Sequence, residues 1–241
     1  MKQHSAISRF RFLILSFIFI AFTFETWAQS SGNSSDGGGQ TPTFHMTGDA
    51  HLLSNFVRRG LTQTTQDPAL QGSFWFNFGP QFRLGLWGSN VRYKGESAHL
   101  NLQLAGDIKV TFSANSSLSL RFADEQYFDA EQRKGTITGL ILQTFDLKTT
   151  FESLSNWEGT GDSASYYNFL YKFKLGSTWE LDAKLGYVDV KSDDYNSFIE
   201  GGADLIYVGQ QIQGILGLNY ATENYFSRGG TQFFVGARTS F

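Results

Sequence analysis

LNLQLAGDIKVTF, Leu100–Phe112, is the run that decides the fold. Leu100, Leu102, Leu104, Gly106, Ile108, Val110 and Phe112 alternate without a break with Asn101, Gln103, Ala105, Asp107, Lys109 and Thr111. A 180° period over that length specifies a β-strand with one apolar and one polar face, and no helix can keep both phases. The same period recurs in both directions. Upstream it runs through Phe74–Phe78 and Phe82–Trp87. Downstream it runs through Tyr167–Leu175, Trp179–Tyr187, Ile199–Tyr207, Ile212–Tyr220 and Phe233–Phe241.

The links between these runs alternate in length. Short ones fall at Gly79-Pro80, Ala114–Ser116, Gly176-Ser177 and Gly209-Gln210. Longer polar ones span Arg58–Asp67, Ser89–Ser97, Ala123–Lys134, Ser155–Ser163, Asp189–Asn196 and Thr222–Gly230. Short turns at one end, long loops at the other and strands of about ten residues describe an all-β, transmembrane antiparallel up-and-down β-barrel. Twelve strands are expected, near 46–57, 69–79, 81–92, 98–112, 117–123, 135–144, 147–154, 164–175, 178–188, 198–208, 211–221 and 231–241. Ten or fourteen are the alternative counts, because Thr136–Phe151 alternates poorly and its turn at Asp146 lacks glycine. An even count puts both termini on the short-turn, periplasmic side.

Composition supports the membrane version over a soluble sandwich or lipocalin-like barrel. The 241 residues are 41% hydrophobic, 16% aromatic and only 17% charged, with 26 Gly and 3 Pro. Aromatic residues gather at expected strand ends: Phe74, Tyr93, Tyr127, Phe128, Tyr187, Tyr195, Tyr207, Tyr220, Tyr225 and Phe226. Membrane barrels carry their interface girdles there. The absence of Cys excludes a disulfide scaffold and a thiolate site. A net charge of −3 gives no footprint for nucleic acid.

The N-terminus reads as an address. Lys2, Arg9 and Arg11 precede the apolar run Phe12–Phe24, and Thr26-Trp27-Ala28 supplies a small-residue end, so residues 1–28 are expected to be a cleaved signal peptide. Residues 29–45, Ser/Gly-rich through Thr43, are expected to form a flexible periplasmic tail, leaving 46–241 as the barrel.

Gly48–Tyr93 contains Ser54, Arg59-Gly60, Gln63, Asp67-Pro68-Ala69-Leu70-Gln71-Gly72 and Trp87-Gly88-Ser89-Asn90 in order. This quarter of the chain resembles the opening of the TorF family, bacterial outer-membrane proteins of poorly characterised function grouped as porins. Phe56-Val57-Arg58 departs from it, placing an extra charge at the first loop. The resemblance implies a pore. The terminal Phe241 resembles the C-terminal signal that outer-membrane barrels present to their assembly machinery.

In a barrel the polar phase faces the lumen. It carries Arg83, Lys109, Arg121, Lys148, Lys172, Lys174, Lys184 and Arg238 against Asp49, Asp107, Glu152, Glu180, Asp182, Glu200 and Asp204. Eight against seven predicts cross-strand pairing and weak selectivity. With Trp75, Trp87 and Phe234 pointing inward as well, the bore is expected to be narrow, passing ions or small polar solutes. Arg58, Arg59 and Gln63 in the first long loop are expected at a constriction or rim.

Enzyme chemistry finds no support. His51 and His99 fall in the inward phase and His45 precedes the first strand, so no lipid-facing Ser/His/Asn set of the phospholipase kind forms. The acids Asp124, Glu125, Asp129, Glu131, Asp193 and Asp194 are expected in outer loops without a His. There they read as a solvated face or as cation-bridged contacts to lipopolysaccharide. No two His sit at a metal-ligand spacing, so no metal and no cofactor are expected. Gly37–Gly39 precedes no helix and is not a phosphate loop. The function read from the sequence is a narrow outer-membrane porin in outer-membrane lipid, with a structural or adhesion barrel as the alternative.

Overall fold

The computed structural model describes residues 44–241; the expected signal peptide, and the expected tail up to residue 43, lie outside them. The described chain is almost entirely strand. In order these are β1 (Phe44–Leu53), β2 (Val57–Arg58), β3 (Leu61–Thr62), β4 (Ala69–Phe78), β5 (Phe82–Asn90), β6 (Leu100–Ser113) and β7 (Ser116–Phe128). They continue as β8 (Gly135–Thr144), β9 (Leu147–Leu154), β10 (Ser163–Lys174), β11 (Trp179–Lys191), β12 (Phe198–Val208), β13 (Gln213–Ala221) and β14 (Gly230–Ser240). All but β2 and β3 form one closed antiparallel barrel of twelve strands, each paired with its neighbour in sequence. β1 pairs both with β4 and with β14. Gly48 and Phe241 exchange backbone hydrogen bonds of 2.8 and 3.0 Å, extending that seam to the terminal residue. Closure removes every free edge of the barrel sheet.

The alternation read from Leu100–Phe112 sorts residues as expected. Ile108, Val110 and Phe112 face outward, half or more exposed, whereas Asn101, Ala105 and Asp107 are buried inside. Leu86, Leu140, Phe169, Leu185, Leu216 and Phe233 continue the outward apolar band around the barrel. A continuous apolar exterior of this size is not tolerated on a water-exposed surface.

Several boundaries differ from the sequence reading. β1 begins at Phe44, inside the expected tail, and ends at Leu53, four residues early; Ser54 carries the chain off the wall and into the barrel mouth. β7 runs on to Phe128, so Asp124 and Glu125 are strand residues and not loop acids. Asp124 opposes Leu104 on the outer face, and Glu125 opposes Gln103 on the inner one. β8 and β9 form despite their poor alternation. Their inner face carries Ile137 and Leu154 because the lumen at that level is dry, packed with Leu61, Trp157 and Val188. Phe145 takes the left-handed conformation (φ 52°) that glycine would otherwise supply at their turn.

Candidate functional site

The 54–68 segment crosses the lumen. Asn55, Phe56, Leu61, Thr62, Gln63 and Thr64 are all buried. β2 and β3 pair only with each other, through a turn in which Arg59 (φ 50°) and Gly60 (φ 78°) are both left-handed. Two successive positive φ angles make the primed turn whose twist matches a two-residue hairpin. Asn or Gly is usual at the first position, so an arginine there carries backbone strain. Its guanidinium donates to Glu152 of β9 from Nε (3.1 Å) and Nη2 (2.6 Å). Arg58 pairs with Glu125 of β7, which also accepts from Asn101 (3.0 Å) and Gln103 (2.8 Å). At the tip there is no room for a side chain: a Cβ on Gly60 would stand 2.7 Å from Glu200 Cβ and 2.9 Å from Ala221 Cβ. The hairpin therefore reaches from the β1–β4 corner to the walls made by β7, β9, β12 and β13.

Small polar side chains satisfy the buried loop backbone, as buried polar groups require. Thr62 and Thr64 hydroxyls donate to Asn55 Oδ1, and Asn55 Nδ2 donates to Gln232 (3.2 Å). Gln63 accepts from the Tyr93 hydroxyl at 2.7 Å, and its carbonyl accepts from Arg92 N at 2.8 Å. Where the loop rejoins the wall, Asn90 accepts from Leu70 N (2.6 Å) and donates to Pro68 O (2.9 Å). Ser54 Oγ accepts from Val235 N at 3.0 Å, Ser89 Oγ donates to Asn90 O at 2.9 Å, and Trp87 packs on Phe56 with ring centroids 5.7 Å apart. Gln71 is buried, and Gly72 opposes Gly88 across β4 and β5. Of the residues that carry the family resemblance, Arg59 and Gly60 thus form the tip of the hairpin, and most of the others gather at its base.

Above it the other long loops close over the mouth. The guanidinium carbons of Arg133 and Arg228 lie over the Tyr93 ring, 3.6 and 4.8 Å from its centre. Both arginines pair with Glu158, and Arg133 also holds Glu96 through two bonds of 2.6 and 2.8 Å. Beside them Trp157 is fully buried among Tyr195, Tyr225, Phe226 and Phe198, at centroid distances of 5.2 to 6.3 Å. Tyr93 and Tyr127 therefore belong to the mouth and not to the lipid girdle, because their hydroxyl-bearing rings are buried there. Phe74, Phe128, Tyr187, Tyr207 and Tyr220 are exposed on the barrel and Phe226 on its loop.

Burial alone would push the Glu158 carboxyl up, but Arg228 and Arg133 outweigh it and hold it at about 2, below its ordinary 4.5. Burial raises the Tyr93 hydroxyl, and Glu158 adds to this. A carboxyl lowered on folding stabilises the loops fully above its unfolded value and loses that contribution as pH falls through the folded one. Conductance in planar bilayers should therefore be the same at pH 7 and pH 5 and rise only below about pH 3, as Glu158 protonates. A rise already complete at pH 5 would contradict this lock.

Toward the short turns the lumen is lined by charge. Arg83 and Arg121 both bond Asp107, at 2.6 to 2.9 Å. Lys172 pairs with Glu180 (2.8 Å), Lys174 with Asp146 (3.5 Å) and Lys184 with Asp204 (4.0 Å). Arg238 bonds Gln213 at 2.5 Å, Asp49 accepts from Ser73, and Asp182 stands opposite Asp204. Lys109 and Lys148 have no carboxylate at ion-pair distance among the described residues. Glu152 and Glu200 differ from the other expected lumen charges. Glu152 is taken by Arg59, and Glu200 is buried under Gly60, accepting from the Tyr166 hydroxyl at 2.6 Å. His51 lies inward, near Asp49 (3.3 Å), whereas His99 is in an exposed loop and not in an inward strand position.

Sequence reasoning missed Glu125 because β7 was ended too early; the alternation Ala123, Glu125, Tyr127 was the available signal. Nothing local marks Glu96, Arg133, Glu158 and Arg228, which meet only through four separate loops.

A closed twelve-stranded barrel with an apolar exterior and a charged interior is porin architecture. The KdgM porin matches it over 81% of this chain and 99% of its own at 13% identity, with a TM-score of 0.55. The NanC porin matches over 82% and 99% at 8% identity, with a TM-score of 0.55. A structure of the KdgM porin in complex with disordered oligogalacturonate matches over 83% and 99% at 12% identity, with a TM-score of 0.52. These are likenesses of fold. The chain belongs to the family Gcw_chp, described as a bacterial protein of unknown function, whose sequence model matches residues 37–205. No curated protein sequence matches it.

Proposed function

We propose that this protein is a narrow channel of the bacterial outer membrane whose bore is constricted by the Val57–Thr62 hairpin. The observation that carries the reading is the pairing of Arg58 and Arg59 with wall carboxylates on β7 and β9, which holds an intrinsic loop across a polar lumen. A barrel with no need to pass solutes can fill its interior with side chains from wall to wall, as eight-stranded ones do. Here the half toward the short turns is lined with lysine, arginine and carboxylate. The apolar exterior fits outer-membrane lipid, with the long loops meeting lipopolysaccharide. Phe241 is exposed beside the seam, and on this reading it is the residue that the barrel-assembly machinery recognises. The resemblance to the TorF porins points the same way.

Planar-bilayer recording and liposome swelling of the refolded chain test this. Small discrete conductance steps are expected, with swelling in monosaccharide-sized solutes and none in trisaccharides. Silence at every voltage together with no swelling would favour a closed barrel that only presents its loops, the reading that the buried Trp157 cluster supports.

A further inference from the structure

This inference rests on the channel reading and concerns what the channel favours. We propose that the lumen prefers anions, and that Arg83, Arg121 and Lys148 on one wall set that preference. By phase alone the inward charges are nearly balanced, but the structure withdraws two acids from that balance. Glu152 is neutralised by Arg59, and Glu200 is 2% exposed beneath the hairpin tip. Asp49, Asp107, Glu180, Asp182 and Asp204 remain in the half toward the short turns, facing the eight inward cations, of which Lys174 is also matched by Asp146 at the turn.

The excess is localised. On β5, β7 and β9 three cations share one acid, Asp107. That carboxylate is itself covered: its side chain is 4% exposed, against 41% for Arg83 and 27% for Arg121. The Arg83 guanidinium carbon lies over the Trp75 ring, 4.2 Å from its centre, which restrains it. Lys148 has no carboxylate at ion-pair distance among the described residues. On β10–β12 the lysines are matched instead, Lys172 by Glu180 and Lys184 by Asp204. A solute passing the first wall meets guanidinium and ammonium groups but no accessible carboxylate. In a narrow bore this field is not screened, since the Debye length is about 8 Å at physiological salt. Such a wall concentrates anions and repels cations.

The test is the reversal potential of the refolded full chain in planar bilayers under a tenfold KCl gradient. The expected chloride-to-potassium permeability ratio is about two- to five-fold, falling toward unity as both baths approach 1 M. Lys148→Glu should bring the ratio to unity or below, and Lys148 has no ion-pair partner whose loss would confound folding. A conducting wild type with a ratio at or below one overturns the anion preference and leaves the channel reading standing. So does a Lys148→Glu channel with an unchanged ratio. Where current flows only after the hairpin is removed, the ratio and the Lys148→Glu comparison are read in that form. If neither form passes current, the channel reading fails and this inference with it.

Discussion

Replacing Val57–Thr62 with a short Gly-Ser link is expected to raise single-channel conductance about tenfold, because it clears the segment that crosses the bore and lets water into that level. The barrel does not depend on this hairpin. β2 and β3 pair only with each other, and the ladder from β1 through β4 to β14 closes without them. Its removal returns Glu125 and Glu152 to water on the lumen wall, where a hydrated carboxylate is tolerated. It also takes Leu61 from under Trp157, so the dry layer loses the residue that fills the centre of the mouth. Arg59→Asn separates occlusion from latching. Asn accepts the left-handed first position of a primed turn better than Arg does, so the hairpin keeps its shape while its bond to Glu152 is lost. A smaller rise with more frequent opening is expected for Arg59→Asn. Unchanged conductance in the hairpin-free chain would place the constriction elsewhere.

Glu158→Ala is expected to release the mouth loops while leaving the barrel intact. Arg133 and Arg228 are 4% and 3% exposed at the side chain, and Glu158 is the carboxylate they share. Removing one partner from a buried ionic cluster costs about 3–5 kcal/mol, because it strands charge without solvent. The loops can escape that cost by opening, since local opening needs less free energy than breaking strand ladders. Trypsin should then cut after Arg133 or Arg228 in folded Glu158→Ala protein while sparing the wild type. Glu96→Ala removes a more exposed carboxylate and should have a far smaller effect. Equal trypsin resistance in Glu158→Ala and wild type would show that the cluster does not hold the mouth.

Much of the barrel was legible from period and punctuation. Leu100–Phe112 alternates as a strand must, and the even count of runs fixes which turns share an end. The poorest expectations fell where the lumen is not wet. Ile137 and Leu154 break the alternation because the hairpin and Trp157 make their surroundings apolar, an effect of residues far away in sequence. Arg58, Arg59 and Gln63 could be singled out as loop residues of consequence. Their pairing with Glu125, Glu152 and Tyr93, which come from three other segments, could not be.

The sequence by itself determined the strand faces, the turn positions and the closed barrel. Each depends on a period of two and on neighbours in the chain. Only the tertiary structure decided that the first loop lies across the bore, that two acids are withdrawn from the lumen and that the mouth is closed by Glu158 and Trp157. Those contacts join loops that closure brings together, and charge pairing across a lumen has no periodic trace in the chain.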